Sequence, residues 1–161
     1  MKTMIKGLCL ALALAAFAGP VAAADGKIGI ATDATFPPFE SIDANGKLVG
    51  YDVELMQAVC DAAKLDCNIF NAAWDGMIPG LIDGKYDALI SQLTVTEKRR
   101  QVIAFSDIYD HPIFRFVAKK DATFDFTPEG LKGKTIAVQT GTPMDAYVTA
   151  HYPDATIKRY D

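Results

Sequence analysis

An α/β fold is predicted for this 161-residue chain, and three observations lead to that prediction. Segments with a two-residue apolar repeat alternate with segments of helical spacing, which is typical of βαβ units. Residues 86–91 form a nearly continuous apolar run, as expected for a strand in a sheet that is covered on both faces. A second set of alternating elements begins near residue 110. The sequence therefore indicates two α/β units in series.

The first unit is predicted to open with a strand over residues 27–32, which alternate and are rich in isoleucine. Pro37 and Pro38 cannot continue a strand, because proline lacks a backbone donor and has a fixed φ. Residues 43–46 (Asp-Ala-Asn-Gly) have the composition of a hairpin turn. Asp52 is predicted to be the N-cap of a helix. The apolar positions of that helix are Leu55, Met56, Val59, Ala62 and Ala63.

The remaining elements follow the same alternation. The first unit continues with a strand, a helix that stops at Gly84, a second strand and a further helix opening, at residues 67–70, 75–82, 86–91 and 96–100. The second unit is predicted as strand, loop, short helix, strand, helix and strand, at residues 113–119, 121–126, 127–129, 134–139, 142–150 and 155–158.

The first 24 residues are predicted to be a cleavable secretory signal. Lys2 and Lys6 precede an apolar run at residues 8–17, and Ala22-Ala23-Ala24 provides the small residues of a cleavage site. The run is too short to span a bilayer, and its cysteine does not lie where a lipoprotein anchor would. We expect the mature chain to begin at Asp25, with Ala24 as the alternative, and to reside in the periplasm.

The charge balance argues against a nucleic-acid partner. Removal of residues 1–24 leaves 14 basic and 20 acidic side chains, a net charge of −6. No Lys/Arg cluster is present that would neutralise a phosphate backbone.

Two cysteines, Cys60 and Cys67, remain after the signal. In an oxidising compartment a close pair is more often a disulfide than a metal site, and no histidine lies nearby in the sequence. Two reduced, buried thiols are the alternative. No metal site and no cofactor are predicted.

Candidate site residues are found where the strands end. Ligands of open α/β sheets bind beyond the carboxyl ends of the strands, which selects four loops at residues 33–39, 72–76, 91–99 and 139–143. These loops contain an acid, aromatic rings, hydroxyl groups, an arginine and a glycine turn. Such a set suits a zwitterionic amino acid, whose carboxylate needs several donors and whose stem needs apolar contacts.

Five motifs in these regions strongly resemble the polar amino-acid-binding proteins of bacterial ABC importers: residues 31–40, 50–55, 74–81, 94–99 and 105–107. The resemblance runs from Lys27 to Asp161 and is strongest to the lysine/arginine/ornithine and histidine binders, whose cysteine pair corresponds to the pair here. It implies a type II periplasmic-binding-protein fold with a hinge between two lobes. Lobe 1 would comprise residues 25–109 and an incomplete lobe 2 residues 110–161.

The resemblance also implies roles for individual residues. Arg99 would bind the ligand carboxylate through its planar donor fork. Phe36 and Trp74 would enclose the aliphatic stem. Asp33 would meet the polar end of the ligand side chain, with a turn cap as the alternative role.

Two loops are implied to complete the site. Ser91 and Thr94 would supply hydroxyl and backbone contacts, while Gln92 departs from the small residue of the basic amino-acid binders and would alter ligand choice. Gly141 and Thr142 precede a helix, so their N–H groups are candidates to meet a carboxylate. A simple helix cap is the alternative for Thr142, and Pro143 removes one donor.

The function implied is capture of a polar, cationic amino acid (arginine, lysine, ornithine or histidine) and delivery to an ABC permease by transient docking of a monomer. Glutamine and opines remain possible ligands. A same-fold dehydratase, a sensory ligand-binding domain and a non-functional fragment are the alternatives. Family members extend beyond the position that matches Asp161, so we expect this chain to be marginally stable and to bind weakly or not at all.

Overall fold

A computed structural model describes residues 26–161, and its elements follow the predicted alternation. The strands are β1 (Ile28–Thr32), β2 (Thr35–Phe36), β3 (Glu40–Ile42), β4 (Leu48–Val49), β5 (Cys67–Asn71), β6 (Ala88–Leu89), β7 (Thr135–Gln139) and β8 (Thr156–Tyr160). The helices are α1 (Tyr51–Ala63), α2 (Trp74–Ile82), α3 (Glu97–Arg100) and α4 (Pro143–His151). The predicted signal at residues 1–24 lies outside the described residues.

A parallel sheet of order β5-β1-β6 forms the centre of the N-terminal part, which we define as β1 to α3. Ile30 and Ala31 on the central strand are both buried, although neighbouring residues of a strand point to opposite faces. Both faces of β1 are therefore covered, as the apolar pattern predicts. Because all three strands run in the same direction, their carboxyl ends meet at one edge.

A small antiparallel sheet of order β2-β3-β4 lies beside this sheet. The predicted turn at residues 43–46 is confirmed, since the Gly46 N–H donates to the Asp43 carbonyl at 3.0 Å. The Asp43 carboxylate also accepts from the backbone N–H groups of Asn45 and Lys47 at 2.8 Å each. These bonds, which a turn aspartate is suited to make, close the hairpin between β3 and β4.

The N-cap of helix α1 lies two residues before the predicted position. Gly50, not Asp52, is the N-cap residue, and it has a φ of 129°. Asp52 is instead a buried residue of the first helical turn, because its carboxylate accepts from other parts of the fold. The predicted disulfide between Cys60 and Cys67 is confirmed and joins α1 to the start of β5.

The C-terminal part, β7 to β8, is smaller. β7 and β8 form a parallel pair that α4 connects, and a cluster of Leu131, Ile136, Val148 and Tyr152 is buried between these elements. The strand–helix–strand order predicted for residues 134–158 is confirmed by β7, α4 and β8.

Two predicted elements before β7 are wrong. Residues 113–119 are not a strand, because no described strand pairs with them, and Ile113 and Val117 are 73% and 92% exposed. Residues 127–129 open a series of turns rather than a helix. Gly133, with a φ of 69°, ends the turns, although Thr127 does accept from the Gly130 N–H as a cap would. The predicted strand at residues 86–91 is reduced to β6.

Across residues 26–161, none of the helices combines the length and the apolar character that crossing a membrane requires.

Candidate functional site

A cavity of about 240 Å³ lies where the carboxyl ends of the central strands meet the loop after β7. We call this cavity the cleft. Eight of the nine predicted site residues line it: Asp33, Phe36, Trp74, Ser91, Gln92, Thr94, Arg99 and Thr142. The ninth, Gly141, does not line the cleft but contacts Arg99. The loops at the carboxyl ends of the strands meet here, as expected for an open α/β sheet, and they bring together residues that are up to 109 positions apart in sequence.

Arg99 is the buried cation of the cleft. It lies on α3, whose N-cap Thr96 accepts from the Arg99 N–H at 3.2 Å. Its Nη1 donates to the Thr94 carbonyl at 2.7 Å and its Nη2 to the Gly141 carbonyl at 3.3 Å. The side chain is 8% exposed, and none of the ion pairs within residues 26–161 includes it. Burial lowers the pKa of Arg99.

This environment favours an anionic ligand group. A buried guanidinium with only neutral carbonyl partners has lost its hydration without gaining a counter-charge, which is unfavourable. A carboxylate in the cleft would supply that charge. It would also accept hydrogen bonds from the guanidinium N–H groups that the two carbonyls leave available, since guanidinium has five donors.

Trp74 and Phe36 form apolar parts of the wall. The Trp74 indole N–H donates to the Thr140 carbonyl at 2.8 Å, and the Arg99 guanidinium carbon lies 5.5 Å from the centre of its ring. Phe36 is half-exposed and stacks on Phe39, with ring centres 5.6 Å apart. An exposed aromatic ring at a cavity mouth is available to cover apolar ligand surface.

Asp33 follows β1, makes a local turn contact and lines the cleft. Its carboxylate accepts from the Thr35 hydroxyl at 3.0 Å, which is a local turn contact. The same oxygen accepts from Gln139 Nε2 at 3.3 Å, and the side chain lines the cleft. The amide of Gln139 therefore connects the C-terminal part to the acid of the N-terminal part.

Ser91 and Gln92 are fixed by buried acids. The Ser91 hydroxyl donates to Glu40 Oε1 at 2.8 Å and accepts from the Asp33 N–H at 3.0 Å. Gln92 has a φ of 45°, and both its backbone N–H and its Nε2 donate to Asp52, at 2.8 and 2.9 Å. The side-chain amide that departs from the family pattern is thus engaged with Asp52 at the wall of the cleft.

In the loop before α4, one of the two N–H groups that the sequence suggested already has a partner within the chain. The Gly141 N–H donates to Asp145 Oδ2 at 3.2 Å, so that donor is already used within the helix start. Thr142 is the N-cap, and its hydroxyl accepts from the Asp145 N–H at 3.2 Å. Burial acts to raise the pKa of Asp145, but the Gly141 N–H and Arg159 outweigh it and the pKa is lowered. The loop contributes carbonyl oxygens to Arg99 and Trp74 instead.

Sequence reasoning missed several residues of the wall: Phe39, Glu40, Pro112, Ile113, Phe114, Gln139, Pro143 and Met144. Gln139 lies within one of the four selected loops and is the last residue of a parallel strand. That position in the sequence is the signal that could have identified it as a cleft residue. Glu40 follows the Phe-Pro-Pro-Phe segment, but nothing in the sequence distinguishes it from an exposed strand residue.

The sequence profile of the bacterial extracellular solute-binding proteins, family 3, matches residues 28–155. The chain is 38% identical over 157 residues to "ABC transporter arginine-binding protein 1" of Escherichia coli K12, covering 98% of this chain and 63% of that protein. It is 37% identical to the "Histidine-binding periplasmic protein" of the same organism, covering 94% of this chain and 58% of that protein.

Solved structures agree. "An ancestral arginine-binding protein bound to arginine" matches with a TM-score of 0.74 and 35% identity over 84% of this chain and 61% of that chain. The ancestral amino acid-binding protein AncCDT-1, "a precursor of cyclohexadienyl dehydratase", matches with a TM-score of 0.72 and 30% identity over 84% of this chain and 62% of that chain. The chain thus has the periplasmic amino-acid-binding fold and spans about three fifths of the length of these proteins.

Proposed function

The chain belongs to the bacterial extracellular solute-binding proteins of family 3, and we propose that it contributes the carboxylate-binding part of a receptor for a cationic amino acid. The observation that carries this proposal is Arg99: a buried guanidinium at the wall of the cleft that has carbonyl partners and no ion pair within the described residues.

The proposed ligand spans the cleft from Arg99 to Asp33. Its carboxylate accepts from the guanidinium, and the aliphatic stem lies against Phe36 and Trp74. The cationic end of its side chain meets the Asp33 carboxylate, which the Gln139 amide also contacts. Ser91, Gln92 and Thr142 act mainly by holding these groups in place, because the Ser91 and Thr142 hydroxyls and the Gln92 amide nitrogen already donate within the chain. Thr94 and Gly141 hold Arg99 through their carbonyls.

Arginine, lysine, ornithine and histidine are the ligands proposed, as the names of the relatives suggest. Glutamine is the neutral comparison, since one ancestral arginine-binding protein has been solved "bound to glutamine". Binding would favour the state in which the two parts close on the ligand.

The proposed setting is the periplasm, after removal of residues 1–24, with delivery of the ligand to an ABC permease. The chain would act as a monomer and would not bind nucleic acid, which its acidic net charge disfavours. Relatives named as periplasmic and ABC-transporter binding proteins support this setting.

An enzymatic role has one observation in its favour, the likeness to a precursor of a dehydratase. Glu40 is the buried acid with the raised pKa, and its carboxyl group bonds to Ser91 and does not face a substrate position. We therefore propose a binding protein and not an enzyme. Mass spectrometry of a candidate ligand after incubation tests this, because a binding protein returns it unchanged.

The direct test is a thermal melt of the purified chain with millimolar arginine, lysine, ornithine, histidine or glutamine. A small stabilisation is expected with the cationic ligands and none with glutamine, because this chain is expected to bind weakly. Its size follows the excess of ligand over its Kd and would reach about 2.7 kcal/mol only at a hundredfold excess.

Arg99→Lys is expected to lose at least about tenfold in affinity, because lysine offers a point charge in place of a planar fork. Arg100→Lys is the matched control, since Arg100 is the exposed neighbour on the same helix. Equal ligand shifts for the two variants, or a larger loss for the Arg100 variant, would contradict the assignment of Arg99.

A further inference from the structure

Glu40 on β3 is a fully buried acid at the wall of the cleft, with 0% exposure. Its Oε1 accepts from the Ser91 hydroxyl at 2.8 Å, and the Ser91 oxygen accepts from the Asp33 backbone N–H at 3.0 Å. Glu40 is thus the inner end of a hydrogen-bonded series that ends at the proposed ligand-binding acid. A buried carboxyl group needs partners for its other oxygen as well.

That other oxygen, Oε2, has no hydrogen-bond partner among the described residues when both acids are treated as carboxylates. The neighbouring acid is Asp52, which is also 0% exposed. Its backbone N–H donates to the carbonyl of Phe39, the residue before Glu40, at 2.9 Å, and the consecutive residues Ser91 and Gln92 bond to Glu40 and Asp52. Asp52 accepts from the Gln92 N–H, Gln92 Nε2 and the Tyr109 hydroxyl at 2.8, 2.9 and 2.9 Å. None of the ion pairs within residues 26–161 includes either acid.

Two buried carboxylates in contact without a cation would repel each other and lack hydration, which is unfavourable for both. A single proton removes the difficulty. A protonated Glu40 accepts at Oε1 from Ser91 and donates from Oε2 to Asp52, so that every polar atom of the pair has a partner.

We propose that Glu40 and Asp52 share one proton, carried on Glu40 Oε2 and donated to the Asp52 carboxylate, and that Glu40 is thereby a positioning residue for Ser91 and Asp33. The positioning role rests on the proposed ligand-binding function, whereas the shared proton does not. Neutral Glu40 also leaves Asp33 as the acid of the cleft wall that faces the ligand.

The electrostatic surroundings agree with this arrangement. Burial raises the pKa of Glu40 to about 8; the Ser91 hydroxyl opposes the rise, and Asp52 and Asp33 add to it. Burial and Asp52 also raise the pKa of the Tyr109 phenol, to which Glu40 contributes. The groups that act on Glu40 are therefore two acids and a hydroxyl from three other segments, and the retained proton belongs to the pair as a unit.

The pair makes stability depend on pH in a defined direction. The unfolded carboxyl has its ordinary pKa of 4.5, and the folded one titrates at about 8. Between these values the folded state holds a proton that the unfolded state has lost. Stability from the pair is fully present below about pH 4.5, falls as the pH rises to about 8 and is level above that. The unfolding constant should rise by about tenfold per pH unit inside this window.

Glu40→Gln tests the shared proton, because glutamine accepts from Ser91 and donates to Asp52 but does not ionise. Glu54→Gln is the matched control, since Glu54 lies on the exposed face of α1. Urea unfolding of the full chain from pH 5 to pH 9 is expected to show the dependence in the native sequence and in the control. The difference between Glu40→Gln and the native sequence should widen from pH 5 to pH 8. Parallel pH profiles for Glu40→Gln and the native chain would overturn the proposal.

An infrared measurement needs neither unfolding nor ligand. A protonated carboxyl band is expected at pH 7 in the native chain and in the control, and its loss is expected in Glu40→Gln. Absence of the band from the native chain would also overturn the shared proton. If the band is present and arginine does not bind, the proposed function fails and the proton pair stands.

Arginine titration tests the positioning role. Glu40→Leu removes the bond to Ser91 and is expected to weaken binding about five- to tenfold, whereas Glu40→Gln restores that bond and the affinity. Native affinity in Glu40→Leu would overturn the positioning role.

Discussion

The N-terminal part and the C-terminal part of the molecule bury different kinds of groups. Six of the seven buried polar or charged side chains belong to the N-terminal part: Thr32, Asp33, Glu40, Asp52, Ser91 and Arg99. The C-terminal part buries a small apolar cluster and one such residue, Thr142. It lines the cleft with Gln139, Thr142, Pro143 and Met144, and its Thr140 and Gly141 carbonyls accept from Trp74 and Arg99.

The N-terminal part therefore supplies most of the buried polar groups around the cleft. Buried polar groups in the N-terminal part are connected to one another, so a change there should affect both folding and the cleft. The apolar cluster of the C-terminal part does not line the cleft, so substitutions in that cluster should act on stability alone. Three comparisons test how the two parts respond to substitution, beginning with the largest expected effect.

Gly50→Ala should be the most damaging change. At its φ of 129°, an added Cβ would collide with the Phe39 carbonyl, where α1 begins beside β3. Positive φ and the clash together should cost about 3–5 kcal/mol of unfolding free energy. Gly46→Ala is the control, because Gly46 also has a positive φ, of 79°, but open space around it. Its expected cost is about 1 kcal/mol. Urea denaturation measures both, and similar costs would show that the close approach at Gly50 is unimportant.

Replacement of Cys60 and Cys67 by serine should lower the unfolding free energy by about 2.5 kcal/mol, from the entropy of the short loop that the disulfide closes. Because the bond joins α1 to β5, hydrogen exchange should rise in the N-terminal part and remain unchanged at β7 and β8. The reduced native chain provides a control without mutation. Equal increases in both parts would contradict the division and show that they unfold as one unit.

Val148→Thr and Val117→Thr compare a buried and an exposed position. Val148 belongs to the C-terminal cluster, and a hydroxyl there should cost about 1–3 kcal/mol. Val117 is 92% exposed, so its replacement should change the unfolding free energy by less than about 0.5 kcal/mol. Thermal melts suffice for both. A large effect at Val117 would mean that residues 113–119 pack against something after all, as the strand prediction for them implied.

The sequence was sufficient for features that depend on local pattern. Alternation at residues 27–32 predicted the central strand, the turn composition at Asp43 predicted the hairpin, and the cysteine spacing predicted the disulfide. The strand-end rule and the family motifs together predicted which residues line the cleft. Each of these signals lies within a few residues or within a known topology.

Features that depend on pairing between distant segments were not predictable. Residues 113–119 have a strand pattern, but a strand needs a neighbour, and that is not encoded in the segment itself. Asp52 has the position of a helix cap, yet it accepts from Gln92 and Tyr109, 40 and 57 residues away. The same limit hid Glu40, whose role depends on Asp52 and Ser91 rather than on its neighbours in sequence.

The bond between the Trp74 indole and the Thr140 carbonyl has an optical consequence. Trp74 is the only tryptophan of the chain. It lies in the wall of the cleft, and its indole N–H donates to a carbonyl of the C-terminal part. Its indole fluorescence therefore comes from one place, and the proposed ligand binding and closure would both change the surroundings of that ring. Emission from the unlabelled protein reports on the cleft without background from any other indole.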